Sequence, residues 1–447
     1  MVMLSFVGVI LVGSFCLATP LAQTSNQWGS YIDALFTATS ATCVTGLVTL
    51  KNGIINELTF FGQFIVMICI QIGGLGFITI FAFIVTLFKK KLEFKDRYML
   101  SQAVGSDSMS SLSIFVRKIL IIAFSFELIG FLLSLPVMLL TYENSGDAVW
   151  TSLFHSVSAY NNAGFDLFGT SSFIKGASSP IVDKMPEWGY YYMLFVTMFL
   201  IVSGGISFVV VIETVTSKKH PKQWSAFTKI VLTMTFTLII VGACLFMLTD
   251  GIKGEGSMTF IDALFQSVTL RTAGFASYDQ ANLSTAGRVI SCFLMFTGAA
   301  PLSTGGGIKV TTMFLMMLSM VAYLSGHKVS AFKRYFNTKT VLKALSLMIL
   351  AFMVISTTYI ITGALEANNA SIANKSDLLY ESFSAFGTVG VSTGVTPNLS
   401  WGSKLVIIFE MYIGRLGPIT FFQVFHKNIN LEDTNNVKYI EEDCLIG

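Results

Sequence analysis

The sequence predicts an all-α integral membrane protein of four tandem repeats, each with a membrane helix, a short re-entrant helix and a second membrane helix. The first observation is composition: 53% of the 447 residues are hydrophobic and only 12% are charged, about half the charged fraction of a soluble domain. The second is a series of long apolar runs, clearest at residues 193–211, 230–248 and 345–361. Runs of this length and polarity indicate helices that cross a bilayer.

The third observation is a motif that occurs four times. The copies are "DALFTATSATCVTGL" from Asp33, "TSLFHSVSAYNNAGF" from Thr151, "DALFQSVTLRTAGF" from Asp262 and "DLLYESFSAFGTVGV" from Asp377. Each has a polar start, an apolar stretch and a glycine preceded by small or polar residues. The glycines follow one another at nearly even intervals, at Gly46, Gly164, Gly274 and Gly390. Regular self-similarity of this kind predicts tandem structural repeats.

Each motif lies between two long apolar segments. The second segments are predicted at residues 57–88, 188–215, 286–323 and 402–425. The short segment of about 11 residues cannot cross a bilayer core of about 30 Å, so it must enter the membrane and return. The repeats are assigned to residues 1–88, 115–215, 227–323 and 341–425, with a tail at 426–447.

The polar residue that opens each motif is expected at the N-terminus of the short helix. Side-chain oxygens cap free N–H groups there, and carboxylates meet the positive end of the helix dipole. Residues 1–22 could also be read as a signal peptide. They lack a basic n-region, so a first membrane helix is preferred, and whether the native N-terminus is longer is left open.

Basic residues give the predicted orientation. They concentrate between successive repeats, which predicts that these connections are cytoplasmic. The re-entrant segments then enter from outside, and both termini lie in the cytoplasm. The basic residues concerned are Lys89, Lys90, Lys91, Lys95, Arg97, Arg117, Lys118, Lys218, Lys219, Lys222, Lys229, Lys328, Lys333, Arg334, Lys339 and Lys343.

Four re-entrant loops predict one pore with pseudo-four-fold symmetry. Irregular backbone at membrane depth is tolerated only where it is buried in protein or lines water. Rings of backbone carbonyls can replace the hydration shell of a cation. A glycine in each loop can take a positive φ, so that successive carbonyls point toward one axis.

The sequences "TCVTGL", "NNAGF", "RTAGF" and "GTVGVSTG" resemble those of the KtrB/TrkH/HKT superfamily of potassium and sodium transporters, most closely its KtrB/KtrD branch. The resemblance covers essentially the whole chain and does not separate KtrB from KtrD. It implies that each repeat is similar to one potassium-channel subunit, and that a glycine in all four loops favours K⁺ over Na⁺. The selectivity-filter residues that it implies are Thr42, Cys43, Val44, Thr45, Gly46, Asn161, Asn162, Ala163, Gly164, Arg271, Thr272, Ala273, Gly274, Gly387, Thr388, Val389 and Gly390.

The third motif departs from the others, because it is one residue shorter and places Arg271 beside the filter. A guanidinium that faced a cation path would repel the ion. We therefore expect Arg271 to point behind the filter toward a carboxylate, and Glu127 is a candidate partner.

A gate is predicted in the third repeat, where "TGAAPLSTGGGIK" at residues 297–309 interrupts a segment too long for one helix. Proline and glycine are costly inside a regular helix, and the resemblance implies an intramembrane gating loop here. Arg415 lies midway along the last helix and is implied to be an electrostatic barrier, whereas Lys309 is expected to extend toward the cytoplasmic surface. The gate residues are Gly298, Pro301, Gly305, Gly306, Gly307, Lys309 and Arg415.

The resemblance also implies a homodimer and a cytosolic KtrA-like ring of RCK domains that binds ATP or ADP. The chain itself has no Walker A sequence and no GxGxxG after a strand, so no nucleotide site is predicted on it. K⁺ is the expected cargo, Na⁺ is left open as a second ion, and membrane lipids are the expected surroundings. Scattered cysteines predict neither disulfides nor a metal site, and a net charge of +3 gives no reason to expect nucleic-acid binding.

Three other classes of membrane protein share some of these features. A sodium-coupled cation symporter with alternating access would often show inverted repeats, whereas the repeats here are parallel. The potassium-binding subunit of a P-type pump has extra helices, and this chain is too short for it. A membrane enzyme would need a motif such as HExxH or clustered acids, and the sequence has neither.

Overall fold

The computed structural model of the protein describes residues 2–76, 112–170, 172–176, 180–216, 221–252, 256–372 and 374–425. This part of the chain is mostly helical, as predicted, and one hairpin of two-residue strands is the described exception. The elements are α1 (Val2–Ala18), α2 (Tyr31–Cys43), α3 (Gly53–Glu57), α4 (Phe60–Leu75), α5 (Leu112–Thr141), α6 (Ser145–Tyr160), α7 (Pro180–Lys184), α8 (Glu187–Gly205), α9 (Phe208–Thr216), α10 (Ala226–Thr249), α11 (Phe260–Thr269), α12 (Thr285–Phe296), α13 (Val310–Leu324), β1 (Ser330–Ala331), β2 (Arg334–Tyr335), α14 (Thr338–Leu365), α15 (Asp377–Gly387), α16 (Trp401–Leu416) and α17 (Pro418–Phe425).

Four helices, α5, α8, α10 and α14, are long and apolar enough to cross a membrane, and α1, α4, α12 and α13 are shorter apolar helices. Their outer faces are apolar. On α5, for example, Ile121, Leu128 and Leu132 recur at helical spacing and are each more than half exposed. Stripes of this kind on several helices indicate a multi-pass membrane protein.

Two of the predicted membrane segments are broken where the sequence predicted one continuous helix. Within 188–215, α8 ends at Gly205 and α9 begins at Phe208; within 402–425, Gly417 (φ +85°) separates α16 from Pro418. Pro418 lacks an N–H and cannot continue the helix above it. The break at residues 297–309 was predicted, and the two others were missed.

The short helices α2, α6, α11 and α15 each precede one of the four motif glycines. Asp33 and Asp262 are the third residues of α2 and α11, and Asp377 is the first residue of α15. The expectation for Thr151 was wrong, because α6 begins at Ser145 and Thr151 lies well inside it. Asn144 caps this helix instead, since its Oδ1 accepts from the Gly146 N–H at 3.0 Å.

Two salt bridges join the start of one second helix to the start of the next short helix. Arg288 Nη1 on α12 lies 2.5 Å from Asp377 Oδ1, and Lys404 Nζ on α16 lies 2.7 Å from Asp33 Oδ1. The Lys404–Asp33 pair connects the last motif to the first, and α16 packs against α2. The helix that follows the last motif is therefore in contact with the short helix of the first motif.

Candidate functional site

The four motif glycines lie in one closed cycle of close contacts. A Cβ atom built on Gly46 would lie 2.6 Å from Ala163 O, one on Gly164 would lie 2.7 Å from Ala273 O, and one on Gly274 would lie 2.5 Å from Val389 O. Gly390 completes the cycle, because a Cβ there would lie 2.8 Å from the Cα of Gly46 and would meet Thr45 O. We call this arrangement the glycine ring.

The segments that form the glycine ring share one backbone conformation. The residue two before each glycine is left-handed: φ is +58° at Val44, +59° at Asn162, +74° at Thr272 and +49° at Thr388. The glycines also have positive φ, between +72° and +99°. Left-handed backbone is strained for a side-chain-bearing residue, so its repetition at four equivalent positions indicates a shared structural requirement. Carbonyl oxygens that converge on one opening can coordinate a dehydrated cation.

A hydroxyl at the end of each short helix holds the adjoining ring segment, and sequence analysis did not identify these residues. Ser40 Oγ accepts from the Gly46 N–H, Ser158 Oγ from the Phe165 N–H and Ser384 Oγ from the Gly390 N–H, each at 3.0 Å. Thr269 Oγ1 instead donates to Phe275 O at 2.6 Å. The signal was present in the sequence: a hydroxyl residue stands six positions before the glycine in three motifs and five before it in the shorter third motif.

Replacing Ser384 by alanine should weaken the fold measurably. The Gly390 N–H would lose its acceptor in a fully buried place, and an unsatisfied buried donor costs about 1–3 kcal/mol. We expect a lower midpoint of thermal unfolding for the purified protein. Ser346→Ala is the matched control, because Ser346 is exposed and its hydroxyl bonds only Leu342 O of its own helix. Equal midpoints for the two variants would contradict the role of Ser384.

Arg271 points away from the glycine ring, but its partner is not the carboxylate that the sequence analysis proposed. Its guanidinium lies against Thr235 on α10, 3.5 Å from the carbonyl oxygen and 3.4 Å from the hydroxyl. Among the described residues no carboxylate forms a salt bridge with it. Glu127 Oε1 accepts instead from the amides of Gln71 at 2.9 Å and Asn161 at 3.0 Å. Glu127 therefore supports the second ring segment, because Asn161 reaches it from there.

The predicted loop at 297–309 connects α12 to α13 and packs directly against the ring segments. A Cβ on Gly305 would lie 3.2 Å from Thr272 Cβ, and one on Gly306 would lie 2.9 Å from Thr388 Cγ2. Thr304 Oγ1 donates to Tyr160 O at 3.2 Å. The loop thus touches three of the four segments on the side that precedes the glycines. Gly298, Pro301 and Gly307 belong to the same loop.

Arg415 joins the loop to the end of α4. Its guanidinium donates to the carbonyl oxygens of Thr304 and Gly73, and to that of Gly74 at 3.4 Å. Gly73 and Gly74 themselves adjoin the ring, because Cβ atoms on them would collide with Thr42 O and with the Asn161 side chain. One cation therefore contacts both the loop and the helix that supports the first two segments.

The expectation that Lys309 extends to the cytoplasmic surface was wrong. Its Nζ donates to Gly305 O at 2.7 Å and Gly306 O at 3.3 Å. These carbonyls belong to its own loop and have no helical partner, so the ammonium stabilises the loop by satisfying them.

A cavity of about 270 Å³ opens on the other side of the glycine ring. All four ring glycines line it, together with residues that follow them in each motif. Three charged residues also line it, namely Lys51, Asp166 and Asp279. The glycine ring thus lies between this cavity and the loop at 297–309.

The chain is similar to known cation transport proteins. Residues 8–439 match the family model of TrkH, described as a cation transport protein. The chain is 36% identical to the potassium/sodium uptake protein NtpJ of Enterococcus hirae, over 98% of this chain and 95% of that one. It is 34% identical to the Ktr system potassium uptake protein B of Bacillus subtilis, over 99% of this chain and 95% of that one. The crystal structure of the potassium transporter TrkH from Vibrio parahaemolyticus has the same fold, with a TM-score of 0.71 at 18% identity over 95% of this chain and 83% of that one.

Proposed function

Because the chain belongs to the TrkH family of cation transport proteins, we propose that it carries K⁺ into the cell through a single pore formed by its four repeats. Family membership also confirms the prediction that the protein is a transporter and not an enzyme. The relatives named above are potassium uptake proteins, and this supports K⁺ as the cargo.

The closed glycine ring is the observation that carries the proposal. Four segments with one backbone conformation contact one another in a closed cycle, and this supports a selectivity filter formed by all four. Thr45, Ala163, Ala273 and Val389 supply the carbonyls that lie against neighbouring glycines. We assign to these oxygens the replacement of the water shell of K⁺. The short helices end at the ring, so the partial negative charge of their C-termini adds to the attraction.

The loop at 297–309 is proposed as the gate. It lies against the ring on the side away from the cavity, and Arg415 holds it to α4. In this arrangement the guanidinium places a positive charge next to the proposed path and opposes cation passage. Opening would then require the loop to leave the ring and Arg415 to release the carbonyls of Thr304 and Gly73.

Further parts of the proposal lie outside the described residues. The tail at 426–447 and most of the basic segment between the first two repeats are not described, so the cytoplasmic location of the termini remains a prediction. The same holds for the homodimer and for the nucleotide-binding regulatory ring. The printed names of relatives as proteins of a Ktr system support a partner, since they imply several components.

The decisive test is ion flux into liposomes that contain the purified chain alone. A voltage-coupled dye would report flux under K⁺ and Na⁺ gradients, with protein-free liposomes as the control. We expect flux that is larger for K⁺ than for Na⁺. Absence of flux both from the chain alone and after addition of its regulatory partner would contradict a pore in this polypeptide.

Sodium coupling is a second candidate, which the name of one relative, a potassium/sodium uptake protein, specifically favours. It predicts that K⁺ flux in the same liposomes depends on a Na⁺ gradient. A pore without coupling would conduct K⁺ equally well with choline in place of Na⁺.

A further inference from the structure

Asp166 occupies a position that differs among the four repeats. The residue two after each ring glycine lines the cavity in every repeat, and these residues are Val48, Asp166, Ala276 and Ser392. Only one of the four is charged. The cavity on this side of the ring therefore has a single carboxylate within two residues of a ring glycine.

The backbone around Asp166 holds the carboxylate in place. Its Oδ1 accepts from the Phe168 N–H at 3.0 Å. No salt bridge involving Asp166 occurs among the described residues, and it remains partly exposed to the cavity. A carboxylate that is oriented in this way and has no salt-bridge partner among the described residues can interact with a cation as it approaches the ring.

Burial raises the pKa of Asp166 to about 6, although the Phe168 N–H and the Ser172 hydroxyl lower it in part. Among the described residues, Lys51 and Asp279 line the same cavity, and the Tyr142 hydroxyl interacts with the Asp166 carboxylate. The carboxylate is thus charged above about pH 6 and becomes neutral as the pH falls below it. A bound cation favours the charged form, so protons and cations compete for it.

We propose that Asp166 is an outer capture site for monovalent cations, which concentrates K⁺ at the entrance of the ring and loses this effect when protons neutralise it. The proposal rests on the proposed function, since it assigns an entrance residue to the same pore. Field lines in a confined cavity can raise the local concentration of a counter-ion about ten-fold or more. The effect should appear in the apparent affinity for the ion and leave the maximal rate nearly unchanged.

The test is Rb⁺ uptake, as a K⁺ congener, by cells that lack their own K⁺ uptake and express the full chain. KM and maximal rate would be measured between about pH 5 and about pH 8 outside, a range that spans ionisation of this carboxyl. We expect the wild-type KM to rise as the pH falls through about 6. Asp166→Asn should raise KM about ten-fold at neutral pH and remove the pH dependence, and Asp166→Glu should retain both properties.

Two further variants test whether the position of the carboxylate next to the ring matters, or only the total charge of the cavity. Val48→Asp places a second carboxylate at the equivalent position of the first repeat and should lower KM. Asp279→Asn removes an exposed charge from the same cavity and should leave KM within about two-fold, as expected for a screened surface charge. Wild-type uptake with an unchanged KM and pH profile in Asp166→Asn would overturn the capture site alone. Absence of wild-type uptake, together with absence of flux in the liposome assay, would overturn the proposed function as well.

Discussion

Replacement of Gly46 by serine is expected to abolish most of the discrimination between K⁺ and Na⁺. Gly46 has φ +99°, and a Cβ there would lie 2.6 Å from Ala163 O and 3.2 Å from the Cα of Gly164. A serine must therefore displace the neighbouring segment and misplace a carbonyl that we assign to the filter. We expect the permeability ratio of K⁺ to Na⁺ to fall about ten-fold, which is about 1.4 kcal/mol of selectivity. Reversal potentials under opposing K⁺ and Na⁺ gradients measure this ratio.

Gly394→Ser is the matched control for this substitution. Gly394 also has a positive φ, +90°, and lines the same cavity, but a Cβ there would meet nothing within 4 Å. Both variants thus carry similar backbone strain, and only one perturbs the ring. If Gly46→Ser kept the wild-type permeability ratio, the assignment of Gly46 to the filter would be wrong.

Replacement of Arg415 by alanine should raise ion flux through the resting protein. The change removes a positive charge and releases the loop from the carbonyls of Thr304, Gly73 and Gly74. Loss of a single charge near an ion path is expected to change flux about ten-fold. The measurement is K⁺ flux from liposomes that contain the chain without any regulatory partner.

Arg415→Lys distinguishes the charge from the hydrogen bonds. Lysine keeps the charge but lacks the planar fork that can bind two carbonyls in different elements. If the charge alone is the barrier, this variant should resemble wild type; if the bridge between loop and α4 also matters, its flux should be intermediate. Unchanged or lower flux in Arg415→Ala would argue against the barrier.

Local patterns predicted much of the fold. The interruption at 297–309 followed from Pro301 and three successive glycines, and the structure has helix ends at Phe296 and Val310. The break after Gly205 has a weaker signal, because two glycines can also lie within a helix that packs closely, whereas Gly417 and Pro418 form a clear breaker pair that the predicted span 402–425 passed over. The true start of α6 was missed since its cap, Asn144, stands before the recognisable motif.

The sequence did not predict which side chains from distant elements contact each other. That Arg271 would point behind the ring followed from electrostatics, but the choice of Thr235 over Glu127 depends on how α10 and α5 pack. The prediction for Lys309 was wrong for a similar reason. Its position near the end of the segment suggested that the ammonium reaches the cytoplasmic surface, whereas in the structure it donates to the carbonyl oxygens of Gly305 and Gly306 in its own loop. The pairing of Lys404 with Asp33 joins residues at opposite ends of the chain, and no local pattern indicates it.

The four ring segments belong to one chain and differ in sequence, so a substitution in one segment changes one position of the ring and not four. In an assembly of four identical subunits, a substitution that introduced an arginine would place four positive charges around the path. Here Asp166 is the single carboxylate two residues after a ring glycine, and the guanidinium of Arg415 contacts the glycine-rich loop from one helix. Under the proposed function, a mutation in one segment would adjust entry, selectivity or opening by one increment, while the other three segments keep their sequence.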